Sequence, residues 1–539
     1  MNEEIAEYYE ELYRLYIDEN QPLERRYRQL RESLERVVRE RIQGNSLQIT
    51  DLAARINYVA TQYELDIKEQ NQLHTFRLTS NDILNHRKFP AKEEFLRDLR
   101  AVAFAYRKMF AQDIPLKLFS VLPKQEITSL GKKEKKEYIR RIRVCFDYAD
   151  DTYLYVHPVD IIADEPIRVV YNKPGINHEF EETIKELWRY AQLNLLDVFV
   201  DREGIYTPSF IVLEPDYLID ISSLAECYKD YGSHPANYFL SRLVPIDNAR
   251  PLLLGNIANL FLDEWIHAGE EEPDYIDCMK KAFRQYPIEL AACAELRDPS
   301  KEKEFAKDCR MHFEHIRDIV QHTFLEPGYN LDKKDAVLEP SYICEALGIQ
   351  GRLDYMQRDM SSFIEMKSGK ADEFSIQGKV EPKENNKVQM LLYMAVLEYS
   401  MGQDRRRMHP YLLYTRYPLL YPARASWAQV RRVINLRNRI VAAEYGVQFH
   451  NHPDFTRNLL AQINPEVVNE RKLSGRFWEQ YLKPSISRFR EKLSALEPLE
   501  QAYFYTLYNF ITKELYTSKS GDVDYEGRAG ASALWLSTL

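Results

Sequence analysis

Cysteine is scarce in this chain, and its six copies follow none of the spacings that cysteine chemistry requires. No C-x-x-C pair occurs in the 539 residues, and the cysteines do not form the dense framework of a small secreted scaffold. They are Cys145, Cys227, Cys278, Cys293, Cys309 and Cys344. Because disulfides form in oxidising compartments, this pattern favours a protein of the reducing cytoplasm.

Two further signals are missing from the sequence. No G-x-x-x-x-G-K-[ST] phosphate loop occurs, since Ala371 follows Gly369-Lys370 and the earlier glycine is absent, so we expect no ATPase within these residues. No spanning segment is found, and the start MNEEIAEYYEEL is acidic, unlike a charged-then-apolar leader. We therefore expect no membrane partner.

An excess of positive charge is also missing. Lys and Arg number 73 against 83 Asp and Glu, which gives a net charge of -10 at pH 7. Because basic residues supply the non-specific affinity for nucleic acid, any DNA binding must use local patches of this chain. A hydrophobic content of 45% with 12% aromatics favours globular cores, and the length predicts about three or four domains.

Patterning along the chain predicts four regions. Residues 1–115 are strongly helical, with the apolar spacing of packing helices or of an arm for a partner, and residues 116–217 favour a small β-barrel or sandwich. Residues 218–420 predict an α/β core with a helical insertion at about 260–325, and residues 421–539 return to helix. The predicted fold class is thus an α/β core with helical terminal regions and a small β-rich domain.

Two clusters of basic residues are candidates for contact with nucleic acid. One lies within the β-rich region of residues 116–217, and the other lies on the C-terminal helical stretch. Each pattern is also typical of a solvated face, and the sequence leaves that choice open. The first cluster is Lys132, Lys133, Lys135, Lys136, Arg140, Arg141 and Arg143, and the second is Arg424, Arg431, Arg432, Arg437 and Arg439.

The most informative stretch predicts a β-hairpin. Residues 346–356 are entered through glycines and favour a strand, 358–361 favour a turn, and 362–368 favour the returning strand, which Gly369 ends. Side chains at positions i and i+2 of a strand share a face. The hairpin therefore predicts which of its charged side chains meet.

Three charged side chains lie on this hairpin. Glu365 and Lys367 point the same way, and pairing about the turn places Asp354 near Glu365. Two carboxylates on one face can hold a hard cation such as Mg²⁺, and an adjacent lysine can orient a water or neutralise charge on an attacked phosphate. The same residues are also typical of a solvated cross-strand ion pair.

A downstream helix favours the reaction centre over the ion pair. Residues 388–399 (VQMLLYMAVLEY) predict an apolar helix on which Gln389 and Tyr393 lie one turn apart on the same face. Such polar side chains are costly to bury unless they find partners. Gly351, three residues before the first carboxylate, completes the pattern.

The motif GRLD…EMK…QMLLY resembles the pattern GxxD…ExK…QxxxY of the RecB-like branch of the PD-(D/E)XK nuclease superfamily. The resemblance implies a restriction-endonuclease-like mixed sheet flanked by helices and metal-dependent hydrolysis of DNA with Mg²⁺ or Mn²⁺. It implies that Asp354, Glu365 and the Met366 carbonyl bind the metal. Lys367 would be the catalytic lysine, and the glutamine and tyrosine of the helix would line the DNA path.

A second resemblance lies upstream, to the flap-processing nuclease–helicase family of DNA replication. Residues 213–227 (LEPDYLIDISSLAEC) are similar to its "PD-L-S-x-T" stretch and first cluster cysteine. Residues 252–259 (LLLGNIAN) are similar to its "LLG-x-x-x-H" helix, and Glu339 with Pro340 matches its Glu before the first strand. This resemblance implies single-stranded or flap DNA as substrate and a helicase domain or subunit as partner.

The chain departs from that family at two places. The metal-binding histidine falls on Asn259, whose carbonyl binds a hard cation less strongly than imidazole binds a softer metal, and His267 and His315 are the candidate substitutes. The family's iron–sulfur cluster needs four cysteines, and although Cys227 matches the first, none follows Cys344. We therefore expect no cluster and a buried structural thiol at Cys227.

Two function classes remain open. The first is a metal-dependent nuclease of single-stranded or flap DNA, coupled to a helicase in replication, repair or defence. The second is a nuclease-fold scaffold that has lost activity and binds DNA or a partner. The carboxylate and lysine set favours the first class, and Asn259 favours the second. The apolar end ALWLSTL predicts the front half of a longer helicase-containing protein, or a motorless relative.

Overall fold

The computed structural model describes most of the chain and shows a mixed α/β protein. The described residues are 3–42, 49, 51–124, 137–160, 162–163, 165–244, 249–374, 379–424 and 426–520. The four predicted lysines of 132–136 and the apolar end of the chain lie outside these ranges. Among the residues that are described, no helix combines the length and the apolar character needed to cross a bilayer.

The chain divides into two compact units. The first comprises Met1–Tyr217, Val441–Thr456 and Phe504–Leu539, and the second comprises Leu218–Ile440 and Arg457–Tyr503. One boundary falls between Tyr217 and Leu218, where composition changes. The region predicted as one helical part, residues 421–539, is shared between the two units, since Val441–Thr456 belongs to the first and Arg457–Tyr503 to the second.

The first unit begins with helices that enclose a single apolar core. They are α1 (Glu3–Ile17), α2 (Leu23–Ile42), α3 (Leu52–Gln62), α4 (Ile67–Leu84), α5 (Lys92–Phe110) and the short α6 (Leu116–Phe119). Aromatic and aliphatic side chains at helical spacing fill the core, among them Tyr27, Phe76 and Phe95. The start of α4 is fixed by a capping box, in which Asp66 and Glu69 each bond the other's backbone N–H.

A β-barrel follows these helices in the same unit. Its elements are β1 (Tyr138–Ala149), β2 (Tyr153–Pro158), β3 (Ile167–Val170), α7 (Glu181–Lys185), β4 (Gln192–Val200), β5 (Tyr206–Thr207) and β6 (Phe210–Leu213). The strand order is β1-β2-β3-β5-β4-β6, and β1 also pairs with β4. The long β1 therefore closes the ring, because it has a partner on each side.

The second unit opens with helices and short strands. They are β7 (Ile219–Asp220), α8 (Ile221–Ala225), α9 (Ala236–Leu243), α10 (Arg250–His267), α11 (Tyr275–Gln285), α12 (Pro287–Ala292) and α13 (Pro299–Gln321). Apolar residues of α10 and α13 share one core cluster with Ile364 and Met366. The predicted helical insertion thus forms part of the packing around the strand that carries Glu365.

The remaining strands form two sheets and a separate pair. They are β8 (Ala336–Leu338), β9 (Ser341–Cys344), β10 (Ile349–Arg352), β11 (Tyr355–Gln357), β12 (Ser362–Lys367), β13 (Asp372–Phe374), β14 (Lys379–Glu381), β15 (His409–Tyr414) and β16 (Leu419–Pro422). The main sheet has the order β16-β15-β12-β11-β8, in which only β12 and β15 run parallel. A small sheet has the order β7-β10-β9, and β13 pairs with β14.

Further helices complete the described chain. They are α14 (Glu384–Met401), which lies in sequence between β14 and β15, and then α15 (Trp427–His450), α16 (Pro453–Ala461), α17 (Pro465–Val468), α18 (Lys483–Ser494) and α19 (Pro498–Ser520). Helix α14 ends at Gly402, which adopts a left-handed conformation (φ 72°) that glycine tolerates without strain.

The strand predicted over residues 346–356 is two strands in different sheets. Strand β10 pairs with β9, whereas β11 pairs with β8 and β12. The chain changes sheet at Leu353 and Asp354, a change that hydrophobic spacing does not reveal, because the buried Leu353 and Tyr355 keep the alternation of a single strand. The prediction of one continuous strand was wrong, and the change of sheet is where the first candidate carboxylate lies.

Candidate active site

The strand register brings Asp354 and Glu365 together, as predicted. Tyr355 pairs with Ile364 in the antiparallel β11–β12 ladder, so Asp354, one residue earlier, lies opposite Glu365. The Asp354 Oδ2 atom accepts a 2.6 Å hydrogen bond from the backbone N–H of Met366. The carboxylate is therefore held against the strand that carries the second carboxylate.

Lys367 and Gln389 surround the Glu365 carboxylate. The Lys367 Nζ atom donates to Glu365 Oε1 (2.9 Å) and to Gln389 Oε1 (2.8 Å), and Gln389 Nε2 donates to Glu365 Oε1 (2.6 Å). Glu365 is only 3% exposed and Gln389 only 7%. The predicted helix α14 thus places its glutamine on the carboxylate–lysine pair, and three side chains close a hydrogen-bonded triangle.

The second carboxylate oxygen of Glu365 has no hydrogen-bond partner. Glu365 Oε2 is buried and accepts no hydrogen bond, although the other oxygen of the same carboxylate accepts two. A buried carboxylate oxygen without a donor is costly. This oxygen belongs to the residue that lies opposite Asp354 in the ladder, and it is an acceptor available for a cation.

The electrostatics reflect two carboxylates in a confined space. Burial and the neighbouring Asp354 raise the pKa of Glu365 to about 8. Burial also raises the pKa of Asp354, although the hydrogen bond from Met366 opposes that shift. Burial disfavours the charge of Lys367, but Glu365 outweighs it and raises the lysine pKa. A positive charge between the carboxylates would relieve their repulsion.

Tyr393 supports the site from the same helix. It is 2% exposed, and its hydroxyl donates to the backbone carbonyl of Arg352, two residues before Asp354. A Cβ atom on Gly351 would lie 3.2 Å from the Tyr393 ring and 3.0 Å from Ile221 Cδ1. Glycine at this position therefore lets β10 approach α14 closely, which gives a physical reason for the glycine of the motif.

Helix α10 passes along the site with the residue predicted as a metal ligand. A Cβ atom on Gly255 would lie 3.3 Å from Oγ of Ser368, which follows Lys367. Asn259 is one turn further on the same face and is half-buried. Asn259 therefore lies between two residues near the site, Gly255 before it and Asp263 after it.

Asp263 is the residue that sequence reasoning missed. Burial, together with the charges of Glu339 and Asp354, raises the pKa of Asp263 to about 6. Asp263 thus belongs to the same acidic group as the predicted carboxylate. Its spacing of four residues from Asn259 could have indicated it, because residues at i and i+4 share a helix face.

Glu339 belongs to this group through its own contacts. Its backbone N–H donates to the Asp354 carbonyl (3.0 Å), and its carboxylate lies 3.2 Å from Arg352 Nη1. The residue has a positive φ of 48°, which is unusual for a side chain other than glycine. Glu339 therefore has an unusual backbone conformation at a position that is hydrogen-bonded to Asp354.

The two histidines named as substitutes for the family ligand have other partners. His267 is exposed and its Nδ1 atom lies 2.9 Å from the Asp263 carbonyl on its own helix. His315 Nδ1 lies 3.0 Å from the carbonyl of Thr415. Thr415 in turn donates its backbone N–H to the Lys367 carbonyl (3.0 Å). His315 therefore contacts the residue that holds the end of β12.

Two of the arginines predicted on basic faces are internal. Arg437 is fully buried, and its Nε atom donates to the carbonyl of Gly348 (3.1 Å). Arg143 forms two 2.8 Å hydrogen bonds to the Asp216 carboxylate. Neither side chain belongs to a surface that follows phosphates, because each is already neutralised or bonded inside the protein.

Cys227 is the buried thiol that the sequence predicted. Its Sγ atom lies 3.3 Å from the Ser223 carbonyl, and burial raises the pKa of the thiol to about 12. A thiol in that state is a poor metal ligand, because metal binding requires the thiolate. The absence of an iron–sulfur cluster stays a prediction.

No preformed cluster of metal ligands is found in the part of the chain that is described: nowhere do three His, Cys, Asp or Glu side chains converge on one point. The Met366 carbonyl stays a predicted ligand, and the visible contribution of Met366 is its backbone N–H. Comparison with protein families and with curated proteins finds no match to this chain.

Proposed function

We propose that this protein is a metal-dependent DNA nuclease of the RecB-like PD-(D/E)XK type, with its reaction centre at Asp354, Glu365 and Lys367. The observation that supports the proposal most is the triangle around Glu365. It leaves one carboxylate oxygen buried without a donor, beside a second carboxylate. A bound cation would satisfy that oxygen, because carboxylate oxygens are ligands that Mg²⁺ and Mn²⁺ accept.

The residues present fit Mg²⁺ or Mn²⁺. Asp354 and Glu365 would supply carboxylate oxygens and Met366 its carbonyl, which are the hard donors that these ions prefer. Asn259 on α10 stays the further predicted ligand, through its carbonyl oxygen, and Asp263 would add negative charge near Asp354. When bound, the ion would polarise the phosphate and lower the pKa of a bound water.

The side chains of the chain itself have distinct roles in this proposal. Lys367 would hold an ammonium group next to the attacked phosphate, and its contacts with Glu365 and Gln389 fix its direction. Gln389 and Tyr393 are positioning residues, because both are buried. Gln389 bonds the Glu365 carboxylate, and Tyr393 bonds the Arg352 carbonyl near Asp354. Positioning of this kind avoids reorganisation during the reaction.

The substrate class rests on the sequence resemblance. Single-stranded or flap DNA, with a helicase domain or subunit as partner, is what that resemblance implies. The overall charge of -10 requires a local surface for such a strand. A cytoplasmic location is proposed because the cysteines lack the pattern of disulfide-forming proteins.

Cleavage of labelled single-stranded DNA tests this function. The protein should degrade an internally labelled oligonucleotide with Mg²⁺ or Mn²⁺, and EDTA should stop it. Asp354→Ala and Lys367→Ala should abolish cleavage while the circular dichroism spectrum stays unchanged. Asp359→Ala is the matched control, because this aspartate lies in the turn of the same hairpin and its carboxylate accepts hydrogen bonds from Ser361. Full activity in Asp354→Ala would exclude the proposal.

A second candidate is a nuclease-fold scaffold that binds DNA or a partner without cutting. The observation that favours it is that the described residues hold no preformed set of three metal-ligating side chains. The same assay separates the two, since a scaffold would bind the oligonucleotide and leave it intact under every metal condition. Blocking the 5′ or the 3′ end of the oligonucleotide would then reveal the polarity of an active enzyme.

A further inference from the structure

The barrel of the first unit has a recognisable connectivity. Strand β1 pairs with β2 on one side and β4 on the other, and β3 pairs with β5 in parallel. Helix α7 lies in the chain between β3 and β4. A five-stranded barrel with the order β1-β2-β3-β5-β4-β1 is the oligonucleotide- and oligosaccharide-binding topology, whose ligands bind on the face of strands 2 and 3 and on nearby loops. Because fold alone does not give function, the side chains on the surface of those strands must show which ligand the barrel binds.

Two tyrosines are stacked on that face. Tyr148 on β1 is the cross-strand partner of Tyr155 on β2, directly after a register shift in β1. Their ring centroids are 4.2 Å apart with an interplanar angle of 12°, and Tyr148 is 50% exposed. The two rings stack on each other, so a nucleobase could extend the stack from the exposed Tyr148, because every base presents a π-face.

A basic residue extends the row. Arg168 on β3 is the cross-strand partner of Tyr155, so Tyr148, Tyr155 and Arg168 follow one another across three strands. Arg168 is exposed, and its guanidinium lies 5.6 Å from the ring centroid of Tyr153. A guanidinium beside an aromatic pair can contact a phosphate while it also stacks on a ring.

We propose that Tyr148, Tyr155 and Arg168 form a binding surface for single-stranded nucleic acid, with bases stacked on the tyrosines and a phosphate on the arginine. The surface belongs to the first unit, whereas the candidate nuclease residues all belong to the second. It is therefore an additional site, and it stands or falls independently of the nuclease proposal.

The loop between β1 and β2 carries two aspartates, and the effect of their charge on binding can be tested. The Asp150 carboxylate is bonded within the loop, since it accepts hydrogen bonds from the backbone of Thr152 and Tyr153 and from the Tyr155 hydroxyl. Asp151 next to it is exposed. Its charge would repel the phosphates of a bound strand, so neutralising it should strengthen binding.

Fluorescence anisotropy in EDTA measures this binding without cleavage. The probes are fluorescein-labelled thymidine and uridine oligonucleotides of about 15 nucleotides, within the span that one such barrel covers. The full chain should bind at least one of them more tightly than a duplex of the same length. Tyr148→Ala and Tyr155→Ala should each raise Kd by roughly 5- to 100-fold, which is the range for loss of one stacking ring.

Matched variants separate stacking from folding. Tyr148→Phe keeps the ring and should keep Kd within about twofold of the wild type, because the ring and not the hydroxyl carries the stacking. Asp151→Asn should lower Kd, and Arg168→Gln should raise it and weaken its salt dependence. Phe89→Ala is the control, since Phe89 is 94% exposed but lies in the helical part of the same unit.

A cross-link on the wild-type chain gives a second measurement. Ultraviolet irradiation with a bromodeoxyuridine-substituted oligonucleotide should modify the peptide that contains Tyr148 and Tyr155. Unchanged Kd in both alanine variants, absence of binding in EDTA, or cross-links only outside β1–β3 would each overturn the proposal. Preference for a soluble oligosaccharide over both oligonucleotides would assign the barrel to the other ligand class of this topology and would likewise overturn it.

Discussion

Lys367 Nζ lies 2.9 Å from Glu365 Oε1, while the other oxygen of the same carboxylate is buried without a hydrogen-bond donor. The lysine therefore neutralises only one side of Glu365. The charge of Asp354 helps to raise the pKa of Glu365. The free oxygen is a candidate ligand for a cation, and metal binding is the property that separates a cation site from an ion pair.

Metal binding to the site should be visible as thermal stabilisation without DNA. Millimolar MgCl₂ or MnCl₂ should raise the melting temperature of the wild type by a degree or two, because a ligand at about ten times its Kd stabilises by about 1.4 kcal/mol. Glu365→Gln and Asp354→Asn should remove the shift. Asp359→Asn, in the turn of the same hairpin, should keep it. An equal shift in all four proteins would place the ion elsewhere.

Gly351→Ala should damage both stability and cleavage. The new Cβ atom would lie 3.0 Å from Ile221 and 3.2 Å from Tyr393, so these side chains must give way by a few tenths of an ångström. Overpacking of this kind costs about 1–3 kcal/mol of unfolding free energy, and a shift of Tyr393 would disturb Gln389 on the same helix. Urea denaturation and cleavage rates measure the two effects.

The matched control is Gly269→Ala. A Cβ atom there meets nothing within 4 Å. We expect this variant to unfold within about 0.5 kcal/mol of the wild type. If both glycine variants are equally stable and active, then the close approach of β10 to α14 has no role in holding the site.

Local patterns predicted the centre of the site well. The turn between β11 and β12, the pairing of Asp354 with Glu365 and the helix that carries Gln389 all follow from short-range periodicity, and the structure places them as expected. Each depends on residues within about one hairpin or one helix. Such features can be predicted because neighbouring residues in sequence determine them.

Long-range contacts account for what the sequence did not reveal. Asp263 joins the acidic group because α10 packs beside β12, about a hundred residues later in the chain. Arg437 looked like part of a basic face, yet it is buried and bonds Gly348, where a Cβ atom would collide with the guanidinium, so the missing side chain leaves room for it. The i, i+4 spacing from Asn259 could point to the helix face of Asp263, but its approach to Asp354 and the contact of Arg437 with Gly348 depend on how distant elements pack.

Asn259→His tests whether α10 contributes to the metal site. Imidazole binds softer divalent ions more strongly than an amide carbonyl does, so this variant should need less Mn²⁺ for half-maximal cleavage, with a smaller change for Mg²⁺. Asp263→Asn should need more of either ion, because it removes an acidic group that couples to Asp354. Cleavage rates against metal concentration measure both effects.

The histidine variants complete this test. His267→Ala and His315→Ala should leave the metal requirement unchanged, since His267 is exposed and His315 bonds the Thr415 carbonyl. A severe loss in either variant would identify that histidine as the missing ligand and would contradict the assignment to Asn259. Unchanged profiles in every variant would restrict the ligands to Asp354, Glu365, the Met366 carbonyl and water.

Glu214 should make the stability of the first unit depend on pH. It is buried at the end of β6, and burial raises its pKa to about 7 even though the backbone N–H of Gln192 bonds it. Asp216 adds to the shift, whereas Tyr445 and Arg143 oppose it. The Tyr516 ring also lies in this environment. A buried carboxyl with these neighbours is favoured in its neutral form.

The direction of the pH effect follows from that raised pKa. The folded protein binds the proton more tightly than the unfolded chain, whose glutamate titrates near 4.3. The contribution of Glu214 to stability is therefore fully present below about pH 4 and is lost as the pH rises through about 7. The loss is on the order of 3 kcal/mol for a shift of this size. Glu214→Gln should remove this dependence of stability on pH. Urea denaturation between pH 5 and 8 measures the free energy of unfolding of both proteins. The two values should be closest at pH 5 and differ most at pH 8, where the variant should be more stable. Parallel curves at all pH values would show that Glu214 titrates normally in the folded state.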